Sequence, residues 1–538
     1  MEIIGNTYSN IHYEQYASTK DAKMFEDIPN LKVLDSLNLD VKTENAVLNL
    51  DDDKKKLSIL ALLNRDQRAL YTDIREMLSR YESIDINYIK ELLLKIREYV
   101  KVAEVEQRQF GEVMTPTNMV KEMLDVLPKE TWNNPNLKFL DPANGVGPYP
   151  LMIIYKLMCG LKEWQPNEKL RYKYIIENMI YVCELQPINM HLYSSMVNPY
   201  SDLVSNVYTG SYLDEQFDYH KTNVWGVEKF DYVIGNPPYQ EEDGGAKASS
   251  KPLYNQFIDK SLLITDKLLF ITPSRWFAGG KGLDKFRQDM MSSNKFKLIK
   301  DFPGDGKEIF GNNVNIGGGV SYFLYDNTYN GLCSFNDVNV NLNKYDVIIR
   351  DTVSYKLIDK LVGKYNTLED MAFSRSYYEI QTNDSRLTDG KISDEQVACY
   401  VSQKKGFIKY IDKSFIKPKY NIDIHKVATP RALGKPENGL GNVFYVDNNS
   451  VVSDTYIFLN VKNKKEADSL ISYMNTQFVH YLVCLRKIDS AIKPSTLKWI
   501  PQVPLDRIWN DNRVFDYFNI TPEEKMMINK NMKKTKKP

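Results

Sequence analysis

Apolar positions change their spacing three times along this chain. From Lys54 to about Val105, Leu57, Leu60, Leu63, Leu70, Ile74, Leu78, Ile89, Leu92, Leu93 and Ile96 recur three and four residues apart, the period of one helix face. The polar stretch Tyr81–Asp85 interrupts them, so two or three helices are expected. Asp51, Asp52 and Asp53 stand just ahead of the first, where a helix dipole favours acidic charge. From Leu137 to about Tyr325 short apolar runs alternate with amphipathic stretches. Lys138–Leu140, Ile180–Cys183, Phe230–Ile234 and Lys267–Ile271 read as buried strands, each followed by a Gly, Pro or acidic break. Strand followed by helix, repeated, predicts a doubly wound, mostly parallel α/β sheet. Beyond Asn341 that rhythm is lost, and Asp447-Asn448-Asn449 reads as a hairpin turn. The expected organisation is a helical region over 1–104, an α/β domain over 105–340, an α+β domain over 341–528 and a disordered basic tail over 529–538.

Composition narrows the class without naming it. Hydrophobic content of 43% and charged content of 26% are those of an ordinary globular protein, and no run reaches the roughly 18 apolar residues of a membrane span. Met1–Asn6 lacks the basic start and apolar core of a secretory signal. Cys159, Cys183, Cys333, Cys399 and Cys484 are scattered, with no CxxC pair and no zinc spacing, so reduced thiols of a cytoplasmic protein in or near cores and no metal site are expected. The whole chain balances 70 Lys and Arg against 70 Asp and Glu. That balance conceals an asymmetry: residues 401–538 hold 24 basic against 13 acidic side chains, so the body is correspondingly acidic. A basic C-terminal quarter suits an anionic polymer, or is simply solvated surface.

Chemistry concentrates at the ends of the expected strands, where ligands bind in open α/β sheets. Asn236-Pro237-Pro238-Tyr239 follows the strand ending at Ile234. A rigid Pro-Pro loop there can hold the Asn236 side chain, the Pro237 carbonyl and the Tyr239 ring in fixed relation, a set that suits a planar amine such as the amino group of adenine. As a lone tetrapeptide it is equally an ordinary turn. Asp141-Pro142-Ala143-Asn144-Gly145-Val146-Gly147 follows a short strand and precedes the stripe Leu151, Ile154, Leu157, Met158 and Leu161. Gly145 and Gly147 allow close backbone approach to a ligand, and the departure from GxGxxG disfavours a dinucleotide. Asp141 suits a cationic or amino group more than a pyrophosphate. Glu184, at the end of the next strand, is placed to take two ribose hydroxyls, or is a surface residue.

These elements together resemble the S-adenosylmethionine-dependent N6-adenine DNA methyltransferases of gamma motif order, found in restriction-modification systems and phages. The resemblance spans about 105–330 and includes Phe110-Gly111-Glu112-Val113-Met114-Thr115-Pro116, Ile271–Trp276 and Val314–Leu324. It implies a Rossmann-like methyltransferase domain with S-adenosylmethionine as cofactor. Asp141, Pro142, Ala143, Gly145 and Gly147 would line the methionine end of that cofactor, Thr115 and Pro116 would close over it, and Glu184 would hold its ribose. Asn236, Pro237, Pro238 and Tyr239 would hold a flipped adenine. The resemblance breaks after the third strand, where Ser211 stands in place of the family's acid and Asp214 comes three residues late. Either of these two meets the cofactor's adenine.

Double-stranded DNA is the implied partner, along with a separately encoded restriction endonuclease; no membrane is expected. The interleaved cations and aromatics of Lys404–Tyr410 and Lys413–Tyr420, with Arg431 and Lys435, suit a DNA-reading domain, or are edge-strand lysines that block aggregation. The loop Glu241–Ser250 is expected to order over a bound target. Two other readings stay open. Asp27 with Asp40-Val41-Lys42 formally matches a nuclease pattern and would make the chain bifunctional, and related NPPY enzymes methylate RNA or protein.

Overall fold

The computed structural model describes residues 65–81, 83–103, 114–240, 251–279, 282–311, 314–402, 407–432, 439–487 and 491–532, apart from the side chains of 101–103 and 353. They fall into two compact units. One holds the described residues up to Ser274 and from Gly282 to Lys344; the other holds Arg275–Gly279 and the residues from Tyr345 onward.

The first unit opens with α1 (Arg65–Leu78), α2 (Ile86–Ala103) and α3 (Thr117–Asp125). It continues through β1 (Phe139–Asp141), α4 (Pro148–Gly160), α5 (Glu168–Asn178), β2 (Ile180–Glu184), α6 (Pro187–Val197), β3 (Asn206–Thr209), α7 (Glu215–Asn223) and β4 (Tyr232–Gly235). It closes with α8 (Tyr254–Ile264), β5 (Lys267–Pro273), α9 (Asp284–Ser292), β6 (Phe296–Phe302), β7 (Val320–Asp326), β8 (Cys333–Phe335) and β9 (Val338–Val340). These strands form one sheet in the order β3-β2-β1-β4-β5-β7-β6-β8-β9. Pairing is parallel from β3 to β5, while β7 runs antiparallel to both β5 and β6. The order reverses between β1 and β4, the place where doubly wound sheets bind ligands. Strands β1, β2 and β4 are buried at every residue, because helices cover both faces of a parallel sheet and leave no polar side.

The helical N-terminal stretch shares the sheet's core. Leu70, Ile74, Met77, Tyr88, Leu92 and Ile96 belong to the same buried cluster as Phe139, Val182 and Ile234. Trp132, Phe139 and Tyr232 stack in sequence at 6.0 and 5.4 Å, fastening β1 to β4.

The second unit contains α10 (Tyr355–Leu361), β10 (Ala372–Phe373), β11 (Gln396–Tyr400), β12 (Ile408–Asp412), β13 (His425–Pro430), β14 (Phe444–Val446), β15 (Ser450–Val452) and β16 (Tyr456–Val461). It ends in α11 (Lys464–Met474), α12 (Gln477–Arg486), α13 (Asp511–Tyr517) and α14 (Pro522–Met532). A sheet of order β10-β16-β13-β14 and a second of order β12-β11-β15 make it α+β. Two expectations are corrected here. The turn at Asp447-Asn448-Asn449 closes no hairpin: β14 pairs with β13 and β15 with β11, so the turn carries the chain from one sheet to the other, with Asn449 at φ 55°. The tail does not begin at 529, because Ile528 is fully buried and α14 runs on to Met532; Lys533–Lys537 lie outside the described residues.

One charged cluster anchors this unit. Arg486 at the end of α12 makes two hydrogen bonds to Asp346 at 2.9 and 3.0 Å, donates to the Ser495 carbonyl and lies over the Trp499 ring at 4.5 Å. Burial alone would raise the Asp346 carboxyl, but Arg486 and then Lys498 hold it well below the usual range. Arg486→Met is expected to destabilise the protein by roughly 2 kcal/mol, since it leaves a half-buried carboxylate with Lys498 alone; that remaining partner and access to water cut the full cost of a broken buried pair. Urea denaturation followed by circular dichroism measures it, and an unchanged midpoint would contradict it.

Candidate active site

The turn after β1 is built around one buried carboxyl. Asp141 is 2% exposed, and its Oδ1 accepts from the Ala143 amide at 3.1 Å. Its Oδ2 is buried and has no hydrogen-bond partner among the described residues. Burial, reinforced by the charge of Glu184 and opposed by the Ala143 amide, pushes this carboxyl up to about 8. Gly145 and Gly147 lie at φ 55° and 93°, and a Cβ on Gly147 would overlap the Tyr193 ring of α6. Gly147 ends the turn and Pro148 begins α4, which suits a first helical residue whose N–H has no partner in the helix.

Glu184 closes the far side of that turn. Its Oε2 accepts from the Gly145 amide at 2.7 Å and its Oε1 from the Gln186 amide at 2.9 Å. Glu184 is thus no stray surface acid: it is 5% exposed, and burial raises its carboxyl despite the opposing Gln186 and Gly145 amides and the Asn189 side chain. Leu185, directly after it, is 67% exposed. Thr115 is buried, and its hydroxyl accepts from Tyr149 of α4 at 3.3 Å; Pro116 caps the start of α3. Phe110–Val113 lie outside the described residues.

Asn236, Pro237, Pro238 and Tyr239 leave the end of β4, the neighbour of β1 in the sheet. Gly235, the last residue of β4, is the close point: a Cβ there would sit 2.7 Å from Asp141 Oδ1 and 3.5 Å from the Pro142 ring. The Tyr239 hydroxyl is buried beside the Asn236 side chain, and burial pushes its pKa well up. Its ring meets Phe310 edge-on at 6.5 Å, while part of the residue stays accessible.

The two candidates after β3 separate clearly. Ser211 follows Gly210, whose amide donates to the Glu184 carbonyl at 2.9 Å, so it lies at the strand end beside β2. Asp214 is exposed at the start of α7 and makes no capping hydrogen bond. The structure therefore groups Ser211 with the β2 end and leaves Asp214 outward.

In the second unit, Lys409 pairs with Asp389 at 2.7 Å, and Lys417 and Lys419 both pair with Glu379. These lysines are partly neutralised rather than a bare cationic stripe. Phe415 is 49% exposed with Arg386 over its ring at 5.6 Å. Arg431 donates its amide to Thr455 at the end of β13. Lys404, Lys405, Lys435, Glu241–Ser250, Asp27, Asp40 and Lys42 lie outside the described residues.

Sequence reasoning passed over Gly235, Tyr149, Tyr193, Asn189 and Leu185. Gly235 carried a signal: a glycine inside a buried strand marks close backbone approach. The others are ordinary apolar or polar helix and loop positions whose value depends on packing.

The raised Asp141 carboxyl gives a stability test. It stays neutral in the folded protein through pH 7, whereas an unfolded Asp ionises near 3.9. The folded state therefore binds the extra proton between about 4 and 8, and stability falls as pH rises through that window. Without ligand, Asp141→Asn is expected to melt above the unsubstituted protein at pH 8, with the gap closing toward pH 4. A gap that is constant with pH would contradict this.

Sheet order, the antiparallel β7 and the placement of both turns at the β1–β4 reversal define the class: a Rossmann-like, doubly wound α/β domain. Comparison with known proteins then gives particular relatives. Residues 162–310 match the Eco57I restriction-modification methylase family, a span that holds Glu184 and Asn236–Tyr239 but not the Asp141 turn. The chain is 26% identical over 290 residues, 41% of its own length and 68% of the other, to an adenine-specific methylase of Mycoplasma pneumoniae described as uncharacterized. Among solved structures it is similar to the DrdV–DNA complex, with TM-score 0.43, 12% identity and 84% of this chain aligned with 63% of that one. It is also similar to the methyltransferase subunit of a type I restriction-modification system from Streptococcus thermophilus, with TM-score 0.34, 14% identity and 50% of this chain aligned with 56% of that one. In both cases the chain spans less than two thirds of the solved protein.

Proposed function

We propose that this chain is a site-specific DNA methyltransferase that transfers a methyl group from S-adenosylmethionine to the N6 amino group of an adenine flipped out of duplex DNA. The single observation that carries the reading is the contact at Gly235, which seats the Asn236–Tyr239 loop directly against the Asp141 turn. Support comes from the match to a restriction-modification methylase family and from the adenine-specific methylase relative.

The residues fit the cofactor. Asp141 Oδ2 is an orphaned buried acceptor, suited to an amino group; Gly147 leaves backbone open where any side chain would collide with Tyr193; Leu185 offers an apolar face. Glu184 takes the ribose hydroxyls with lone pairs not used by Gly145 and Gln186, and Ser211 meets the adenine ring in preference to Asp214. Pro142 and Ala143 shape the turn, and Thr115 with Pro116 covers it. Bound there, S-adenosylmethionine supplies an electrophilic methyl carbon.

The remaining work is alignment and charge. The amino group of adenine is a weak nucleophile because its lone pair is delocalised into the ring. Asn236 Oδ1 and the Pro237 carbonyl accept its two N–H bonds, favour a more tetrahedral nitrogen and offset the positive charge that develops in transfer. Pro238 stiffens the loop and Tyr239 stacks on the base. Holding a base outside the duplex costs a few kcal/mol, which the α+β unit offsets through phosphate contacts. Among the described residues no helix is long and apolar enough to cross a membrane. A cytoplasmic modification enzyme paired with a separately encoded endonuclease completes the reading.

The test is transfer of labelled methyl from S-adenosylmethionine to unmethylated duplex DNA, followed by digestion to nucleosides. Label in N6-methyl-2′-deoxyadenosine supports the reading. Label only in methylated deoxycytidine, or no label in DNA while RNA or protein supplied in parallel takes it up, would overturn it.

A further inference from the structure

A short series of buried polar groups lies between the helix that precedes the α/β sheet and the Asp141 turn. Gln67 of α1 is 8% exposed, and its Nε2 donates to Oδ1 of Asn189 at 3.3 Å. Asn189, on α6, is 1% exposed. With Oδ1 engaged by Gln67, its Nδ2 is the end presented to Glu184, where the Asn189 side chain favours the charged carboxylate. Among the described residues Nδ2 is buried and makes no hydrogen bond of its own, which leaves it available to the Glu184 carboxylate. Glu184 in turn accepts from the Gly145 amide at 2.7 Å. Two hydrogen bonds, Gln67 to Asn189 across 122 residues of sequence and Gly145 to Glu184, thus flank the buried approach of the Asn189 amide to the Glu184 carboxylate. Neighbouring contacts hold α1 and α2 against α6 without involving Asn189. The Tyr71 ring lies 5.8 Å from the His191 ring, and Tyr88 of α2 donates to the Met196 carbonyl at 3.0 Å.

We propose that Gln67 is a positioning residue of the cofactor site: by donating to Asn189 it fixes which end of that amide faces Glu184, and so holds Glu184 ready both for Gly145 and for the ribose of S-adenosylmethionine. This rests on the function proposed above. An amide has one donor end and one acceptor end, and only the donor end stabilises a carboxylate. Without Gln67 the Asn189 side chain is free to turn its oxygen toward Glu184, which disfavours the ionised form that two hydroxyls require. The N-terminal helices thereby contribute to cofactor affinity through Glu184.

Three variants separate positioning from mere packing. Gln67→Leu keeps the buried volume and removes the donor. Gln67→Glu presents an acceptor and draws the Asn189 nitrogen away from Glu184. Tyr71→Leu loosens the same helix interface without touching Asn189. Isothermal titration with S-adenosylmethionine gives the dissociation constant and the competent fraction separately, and thermal melting of the ligand-free proteins gives stability. Gln67→Leu is expected to weaken binding about three- to tenfold, the effect of one hydrogen bond, with its competent fraction unchanged. Gln67→Glu is expected to weaken it further, and Tyr71→Leu to lower the melting temperature with the dissociation constant unmoved. Unchanged affinity in Gln67→Leu, or an equal shift in Tyr71→Leu, would overturn the proposal while leaving the proposed function standing. Absence of binding by the unsubstituted protein would overturn the proposed function itself.

Discussion

Asn236→Ala is expected to lower the rate of methyl transfer at saturating cofactor and DNA by about a hundredfold to a thousandfold, while the dissociation constant for S-adenosylmethionine stays within about twofold. The magnitude is that of removing one preorganised hydrogen-bonding group aimed at charge that develops in a transition state. The split follows from position. Asn236 lies beyond the end of β4, whereas the cofactor turn hangs on β1 and β2 through the Glu184 contacts to Gly145 and Gln186. Single-turnover kinetics with fluorescence titration of the cofactor measures both quantities. Parallel loss of rate and affinity would show that Asn236 supports the turn rather than the target base.

Gly235→Val is expected to behave oppositely and lose both at once. A side chain at this position meets Asp141 Oδ1 at 2.7 Å and the Pro142 ring at 3.5 Å, and Asp141 is too buried to swing away. Either β4 shifts and carries Asn236–Tyr239 with it, or the Asp141 turn is displaced. Both routes are expected to weaken cofactor binding at least tenfold and transfer at least a hundredfold, with stability falling by the roughly 1–3 kcal/mol of an overpacked site. The same titration and kinetic measurements check it. Normal cofactor affinity in a folded Gly235→Val protein would show that the two turns are not mechanically joined.

Those two variants also mark what was legible before the structure. The strands ending at Asp141, Glu184 and Ile234 were readable because a parallel sheet covered on both faces demands continuous apolar runs, and each run ends in a residue that cannot continue it. The helices carrying Leu70, Ile74, Ile89 and Leu92 were readable from their period alone. Gly235 was not read as part of the site, although it stands next to Asn236, because its importance is a steric relation to a residue 94 positions earlier. Asn189 and Gln67 were hidden for the same reason: a polar residue in a helix looks solvent-facing until the helix is seen to be buried all round, as α6 is from Asn189 to Tyr193.

The C-terminal half was legible only as a class. Its α+β character followed from the loss of the strand–helix rhythm, but Asp447-Asn448-Asn449 has the composition of a hairpin turn and is a crossing between sheets. Local turn chemistry sets the bend, and the partners of β14 and β15 lie elsewhere in the chain. The lysines of the Lys413–Tyr420 stretch were countable, yet their pairing with Glu379 was not, since Glu379 stands at φ 56° in a loop more than thirty residues upstream. That pairing sharpens the electrostatic reading: a DNA phosphate must compete with Glu379 for Lys417 and Lys419.

The most direct measurement is single-molecule sequencing of DNA from a methylation-free host expressing this chain, beside the same host expressing Asn236→Ala. The proposed function expects N6-methyladenine at one short sequence motif, present with the unsubstituted chain and absent with the variant. Unmodified DNA from cells that contain abundant folded protein would contradict it.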